Sequence, residues 1–319
     1  MILLYILLFL ILLLVALIFY FFALAFVRKN NTNPDDLNTK QNAFLKPYSE
    51  LLAEGMQFVD NTEHKRYETV SFDGIKLSAR YYNQNSDRTI LLFHGYRSSA
   101  KHDFSCAVKM YYENGFNILL VDQRAHGLSE GKLITFGVKE SRDVISWVEF
   151  LNAKFPVNQI VLSGLSMGAT TVLLSLRFKM PENVKCVIAD CGFDSPVEII
   201  KKVAKQIFKI DARLVIPIMD FLCKILGNFS IQNVSTVDAV KNSKLPIMLI
   251  HGKNDNFVPC EMSQTTYQAA KDHAKLVLVD GADHGISFLV DPKRLINELT
   301  NFFNENLGWL FYTKIIQYN

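Results

Sequence analysis

Gln159-Ile160-Val161-Leu162-Ser163-Gly164-Leu165-Ser166-Met167-Gly168 is the stretch on which the reading of this chain turns. Gln159–Leu162 is a short, nearly continuous apolar run of the kind found in a strand buried on both faces. From Ala169 to Lys179 the apolar residues recur at helical spacing. Between them sits a G-x-S-x-G pentapeptide, Gly164 to Gly168. A turn this tight between strand and helix leaves no room for side chains at the two glycines. It lifts the Ser166 hydroxyl above the sheet at a helix N-terminus, where a nucleophile is useful.

The same rhythm extends in both directions. Tyr67–Phe72 and Ile75–Tyr82 flank Asp73-Gly74, a strong hairpin signal. Thr89–Phe93, Asn117–Val121, Val184–Ala189, Ile247–Ile250 and Lys275–Val279 are apolar runs that end in turn residues, which makes eight strand candidates. Helix-length stretches fall between the later ones: Phe104–Asn114, Val138–Lys154, Glu261–His273 and Pro292–Asn306. Apolar strands alternating with helices predict an α/β fold with a mostly parallel, eight-stranded sheet led by an antiparallel hairpin. One interval is too long for a plain crossover. Residues 192–243 hold two apolar-faced helices, Pro196–Ile210 and Leu214–Leu226, expected to form a small helical lid over the carboxyl edge of the sheet.

A serine hydroxyl is a weak nucleophile until a base takes its proton. His94 and His251 lie in His-Gly turns at strand ends, His126 lies in an Arg-Ala-His-Gly turn, and His64, His102 and His273 have polar or helical surroundings. His284 comes after the last strand in Gly281-Ala282-Asp283-His284-Gly285, from where a loop can reach Ser166. The orienting acid is expected from the loop after the preceding strand, at Asp255. Asp190, on the strand after the nucleophile, and Asp283, adjacent to the histidine, are the rival carboxylates. The backbone N–H groups of Met167 and Tyr96 are the candidate donors to a developing oxyanion.

These pieces together resemble the α/β-hydrolase superfamily, and within it the compact bacterial hydrolases described as serine aminopeptidase-like or prolyl-oligopeptidase-like. The matching segments are Leu91–Tyr96, Asp122–Ser129, Gly164–Gly168, Ile250–Pro259 and Gly281–Gly285, in the family's order, over residues 67–305. Ala125 departs from the pattern, since relatives more often have glycine before the turn histidine. The resemblance implies a turn-fixing role for Asp122, Arg124 and His126. It also implies acyl chemistry, because relatives that cleave epoxides or haloalkanes carry aspartate where Ser166 stands. No cofactor beyond water is implied, and no metal cluster is evident.

Residues 1–27, Met1 to Val27, are drawn wholly from the hydrophobic set. About 20 such residues cross a bilayer. The run has no leading Lys or Arg and is far longer than the apolar core of a secretory signal peptide, so it reads as an uncleaved transmembrane signal anchor. Arg28 and Lys29 at its end favour the cytoplasmic face for the main domain. Residues 28–63, with the polar Asn30–Asn42 run, read as a juxtamembrane tether, and residues 64–319 as the hydrolase domain. On this reading, deletion of Met1–Val27 leaves a soluble, active protein.

The 34 basic and 31 acidic residues leave +3, with no basic stripe to suit nucleic acid. The five cysteines show no C-x-x-C pair, which speaks for free thiols rather than disulfides or zinc. The expectation is a serine hydrolase of acyl esters working through Ser166, His284 and Asp255. A peptidase using the same residues is the alternative, and a catalytically silent membrane-tethered binding module a second. The lid's few acids (Glu198, Asp211, Asp220 and Asp238) give little to hold a peptide amino terminus, which favours esters. Its Ile199, Ile200, Val203, Ile207, Val215, Ile218, Met219 and Leu222 are spaced either to cover Ser166 or simply to pack.

Overall fold

The computed structural model describes residues 1–29, 35, 45–155 and 159–308. The expected tether run Asn30–Asn42 lies outside the described residues, apart from Asp35.

The order of elements matches the alternation expected from the sequence. Helix α1 (Ile2–Phe26) and helix α2 (Ser49–Asn61) precede the hairpin β1 (Lys65–Val70) and β2 (Lys76–Tyr82). Then come β3 (Arg88–Phe93), α3 (Ala100–Glu113), β4 (Asn117–Asp122), α4 (Glu140–Lys154), β5 (Gln159–Leu165), α5 (Met167–Ser175) and β6 (Val184–Asp190). The insertion holds α6 (Pro196–Val203), α7 (Ile216–Gly227) and α8 (Thr236–Lys241). The chain continues through β7 (Ile247–Gly252), α9 (Cys260–Ala270), β8 (Ala274–Val279), α10 (Ser287–Val290) and α11 (Pro292–Leu307).

The eight strands form one sheet in the order β1-β2-β4-β3-β5-β6-β7-β8. Strand β2 runs antiparallel to β1 and β4, and the other pairs are parallel. β3 and β5 are neighbours, with Phe93 opposite Gly164, so the loops after both strands meet over the same stretch of the carboxyl edge. Each sheet face carries its own core. Leu92, Ile118, Val161 and Phe303 belong to one, and Leu91, Trp147, Leu162 and Val172 to the other.

The stretch read as a tether contains structure. Helix α2 buries Leu52 and Val59 against α3 and the first core. Its short apolar face is masked in the sequence by the polar run before it.

The start of the chain also differs from the expectation of an independent segment. Most of α1 is exposed, but Phe22 and Phe26 are only 3% and 1% accessible. They join a third core with Phe136, Met167, Phe193, Ile199, Met219, Leu222 and Phe229. Backbone hydrogen bonds reinforce this docking: the Ile134 N–H donates to the Phe26 carbonyl (2.7 Å), and the Arg28 N–H to that of Lys132 (2.9 Å). The Arg28 guanidinium donates to the carbonyls of Ser129 and Gly127 at 2.7 and 2.6 Å. A uniformly apolar helix carries no periodicity to mark which of its residues meet protein.

In the lid, the first helix loosens after Val203 into a π-helical turn, Ala204–Phe208, closed by Lys209 at φ +58°. Ile199, Met219 and Leu222 face inward to the third core, while Ile207 and Ile218 point outward.

Candidate active site

Strand β5 ends at Leu165 and α5 begins at Met167, so one residue makes the turn. Ser166 sits there at φ +56° and ψ −116°, a region that strains any side-chain-bearing residue. The turn is held by the Ser166 N–H, which donates to the Asp190 carbonyl at 2.8 Å. The two glycines are demanded by contact. A Cβ on Gly164 would lie 2.1 Å from the Gly168 carbonyl oxygen, and one on Gly168 would lie 1.8 Å from that of Phe93.

The loops after β7 and β8 bring two more side chains to this hydroxyl. His284 Nε2 lies 2.9 Å from Ser166 Oγ, and His284 Nδ1 lies 2.7 Å from Asp255 Oδ2. An ionised carboxylate only accepts, so its partner assigns the ring proton to Nδ1 and leaves Nε2 to accept from the serine hydroxyl. The ring of Phe257 packs edge-on against His284, 5.1 Å between centres.

Asp255 is itself well held. Its Oδ1 accepts from the N–H groups of Phe257 (2.9 Å) and Val258 (2.7 Å). Burial alone would raise this carboxyl. Hydrogen bonds from His251 and His284, the His284 charge and the Val258 N–H outweigh burial and hold it down at about 2. The histidine behind it, His251, is fully buried, and its sequence context marks it only as a residue in a strand-end turn. Its Nε2 faces both Asp255 Oδ2 (3.2 Å) and the Val258 carbonyl (2.9 Å), so that nitrogen carries the proton. Nδ1 then accepts from Ser263 Oγ at 2.7 Å. The only sequence trace of this brace is its four-residue spacing from Asp255.

The rival carboxylates line the same cavity but make other bonds. Asp283 Oδ1 accepts from the N–H groups of Asn256 and His284, which ties the two loops together. Asp190 meets the Ser287 hydroxyl at 3.5 Å. Burial raises its carboxyl to about 6, against the pull of His251 and His284.

The loop after β3 runs beside Ser166, close enough that a Cβ on Gly95 would lie 3.3 Å from the serine Cβ. The Met167 N–H opens α5 and so has no acceptor within the helix. Tyr96 comes next after Gly95 in the loop, and its phenol bonds the end of α1 at the Ala25 carbonyl. Three side chains fix this loop. His94 Nδ1 donates to the Gly95 carbonyl (2.8 Å), and its Nε2 accepts from the Gln123 N–H (3.1 Å). His126 Nε2 accepts from the Arg97 N–H at 3.0 Å. Burial and the neighbouring His94 lower His126 to about 3, so it stays neutral and able to accept. Asp103 takes hydrogen bonds from the Gly95 N–H (2.6 Å), Ser98 Oγ (2.5 Å) and His102 Nδ1 (2.9 Å). Burial would raise Asp103, but the bonds from His102, Ser98 and Gly95 prevail and keep it below the usual carboxylate range. Nothing in the sequence pattern singles out Asp103.

Arg124 belongs to the fold. It is buried and bonds Asp143 and Asp73, bracing the β1–β2 turn. Asp122 accepts from the Leu128 N–H at 3.1 Å.

A cavity of about 470 Å³ opens beside Ser166 and His284 and runs back beneath α3 and α11. Its wall is largely apolar, with Leu52, Phe104, Met110, Leu295 and Leu299, and the lid contributes Gln206 at the edge. That volume lies in the range of small-molecule sites, about 300–1,000 Å³.

Sheet order, the strained serine turn and the late histidine loop define the class, which is the α/β-hydrolase fold. Residues 102–309 match the prolyl oligopeptidase family, and the chain belongs to that family. It is 25% identical over 205 residues to the uncharacterized protein YqkD of Bacillus subtilis (strain 168), covering 64% of this chain and 67% of that one. It is 26% identical over 238 residues to the thiohydrolase aneE of Aspergillus aculeatus, covering 67% and 72%. The chain thus spans about two-thirds of the length of these curated relatives. Among solved structures, the Pyrococcus furiosus esterase Pf2001 superposes with a TM-score of 0.64 at 26% identity, covering 79% of this chain and 96% of that one. The chain is an enzyme of the hydrolase superfamily.

Proposed function

We propose that this chain is a membrane-anchored serine hydrolase that cleaves carboxylic esters through an acyl-enzyme. The observation that carries the reading is the relay Ser166 Oγ–His284 Nε2 at 2.9 Å and His284 Nδ1–Asp255 Oδ2 at 2.7 Å. In the proposed sequence, Ser166 Oγ attacks the ester carbonyl carbon while its proton passes to His284 Nε2. Asp255 orients the ring and balances the imidazolium charge. The N–H groups of Met167 and Tyr96 receive the oxyanion. The intermediate collapses, and the alkoxide leaves as the alcohol with the proton from His284. Water, deprotonated by the same ring, then attacks the acyl-serine and frees the carboxylic acid and Ser166.

The anchor is α1, which is long and apolar enough by length and composition to cross a membrane. The esterase preference rests on the apolar cavity and on the lid's acids. Glu198 pairs with Lys201, Asp211 with Arg213, Asp220 with Lys224 and Asp238 with Lys241, and none of the four lines the cavity at Ser166. A peptide amino terminus therefore finds no free carboxylate there among these four. One of the similar proteins is named an esterase and another a thiohydrolase, which supports the same reading.

The family match itself favours a second reading, that of a peptidase. One panel separates them: p-nitrophenyl esters of graded chain length against aminoacyl and prolyl amides. The ester reading expects the best ester to exceed every amide in kcat/KM. Amide values equal to or above the best ester establish the peptidase.

A further inference from the structure

An amphipathic helix on a protein surface is expected to turn a polar face to water. Helix α7 does not. Its inner face buries Ile216, Met219, Leu222 and Cys223, yet its outer face exposes Ile218, Phe221, Ile225 and Leu226. Phe221 and Ile225 are 59% and 63% accessible. The turn after α6 adds Ile207 and Phe208, also exposed. Exposed apolar side chains gathered on one helix face mark a partner.

The occupant is indicated by what adjoins the patch. Phe208 packs edge-on against Phe21 of α1, ring centres 5.1 Å apart, so the patch continues into the one helix, among the described residues, apolar enough to cross a bilayer. Helix α1 enters the body at the carboxyl edge of the sheet, the edge that carries Ser166. Basic residues rim the same region. Lys205 and Lys209 are exposed on the lid and, among the described residues, have no carboxylate partner, and Lys29 stands exposed at the end of α1. Aromatic and aliphatic side chains ringed by lysine are the composition of a surface seated in a lipid headgroup layer.

We propose that α7, the turn after α6 and the exit of α1 form one membrane-seated face, which holds the mouth of the Ser166 cavity against an anionic bilayer surface. The substrate class is then a long-chain acyl ester taken from the bilayer, its chain entering the apolar cavity and its carbonyl stopping at Ser166. This substrate class rests on the serine-esterase reading; the seating does not.

The test uses the full-length chain in vesicles of phosphatidylcholine and phosphatidylglycerol. Four of the five cysteines are buried, so a Cys260→Ser background accepts a fluorophore at Phe221→Cys or, as a control at the opposite edge of the sheet, at Asn85→Cys. The seated face predicts that the label at 221 is quenched by nitroxide lipid and shielded from iodide, with the reverse at 85. Equal iodide quenching at both positions overturns the proposal. A second arm compares wild type with Ile218→Ser/Phe221→Ser/Ile225→Ser. Turnover of water-soluble methylumbelliferyl butyrate is expected to be unchanged, while turnover of methylumbelliferyl oleate held in the vesicles falls at least about tenfold. Equal loss on both esters, or loss on neither, overturns the substrate assignment. Wild type inert towards both esters, with the 221 label still in lipid, sinks the esterase reading and leaves the seating intact.

Discussion

The phenol of Tyr96 donates to the carbonyl of Ala25 at 2.8 Å, joining the loop beside the candidate nucleophile to the last turn of the apolar N-terminal helix. Arg97 repeats the link, its guanidinium donating to the carbonyls of Leu24 (2.8 Å) and Val27 (3.0 Å). These are helix-end carbonyls with no partner within the helix, so the loop serves as their cap. Burial pushes the Tyr96 phenol up to about 12 despite the neighbouring Arg97, so it remains a donor throughout the neutral range.

The first prediction comes from that joint. Removing residues 1–19 spares Phe22, Phe26 and the capped carbonyls, and the product is expected to keep its melting temperature and its ester turnover in detergent. Removing residues 1–27 deletes both buried rings and is expected to cost stability and activity together. Phe26→Ala alone is expected to lose about 3–5 kcal/mol in denaturant unfolding. Equal stability of the two truncations would show that the helix end contributes nothing to the fold.

Asp103 is expected to act as a positioning residue. It touches no substrate atom in the proposed chemistry but holds the Gly95 N–H, Ser98 and His102. Asp103→Asn replaces one acceptor oxygen by a donor and loosens the loop that carries the Tyr96 N–H. A fall in kcat is expected, no greater than the about 100- to 1,000-fold that outright loss of an oxyanion donor costs. Labelling of Ser166 by a fluorophosphonate should persist at a reduced rate. An unchanged kcat with raised KM would assign Asp103 to substrate binding instead.

Asp190 supplies a pH test of stability. Its carboxyl rises on folding from about 3.8 to about 6, driven by burial. A carboxyl raised in this way favours the folded state while protonated. The advantage is complete below the unfolded value, declines as pH rises through the interval, and has gone above the folded value. The neutral analogue Asp190→Asn is therefore expected to gain melting temperature over wild type at pH 8 and little or nothing at pH 4. A gain of the same size at both pH values would mean the effect is packing rather than charge.

Much of this arrangement is legible in the sequence alone. The apolar runs mark the strands because a strand buried on both faces has no polar positions to hide it. Their ends are less legible: β4, β6 and β7 continue through Asp122, Asp190 and Gly252, turn-type residues that still pair in the ladder. Ser166, Asp255 and His284 can be picked out because each sits after a different strand end in a distinctive local pattern. His251 and Asp103 cannot. A buried histidine bracing a carboxylate and a buried aspartate bracing a loop have no periodicity, and only the sheet order brings them to their partners. The docking of Phe22 and Phe26 is hidden for the opposite reason. A helix that is apolar all round gives its buried and exposed residues the same composition, so the two that dock cannot be told from the rest.

The most direct test of the central claim is covalent labelling of the full-length protein by a fluorophosphonate, located by peptide mass spectrometry and paired with p-nitrophenyl ester turnover. The account predicts a single modified residue, Ser166, with labelling and turnover both lost in Ser166→Ala while the folded state is retained. Wild-type labelling and turnover in Ser166→Ala, or folded wild-type protein that takes no label, would contradict it.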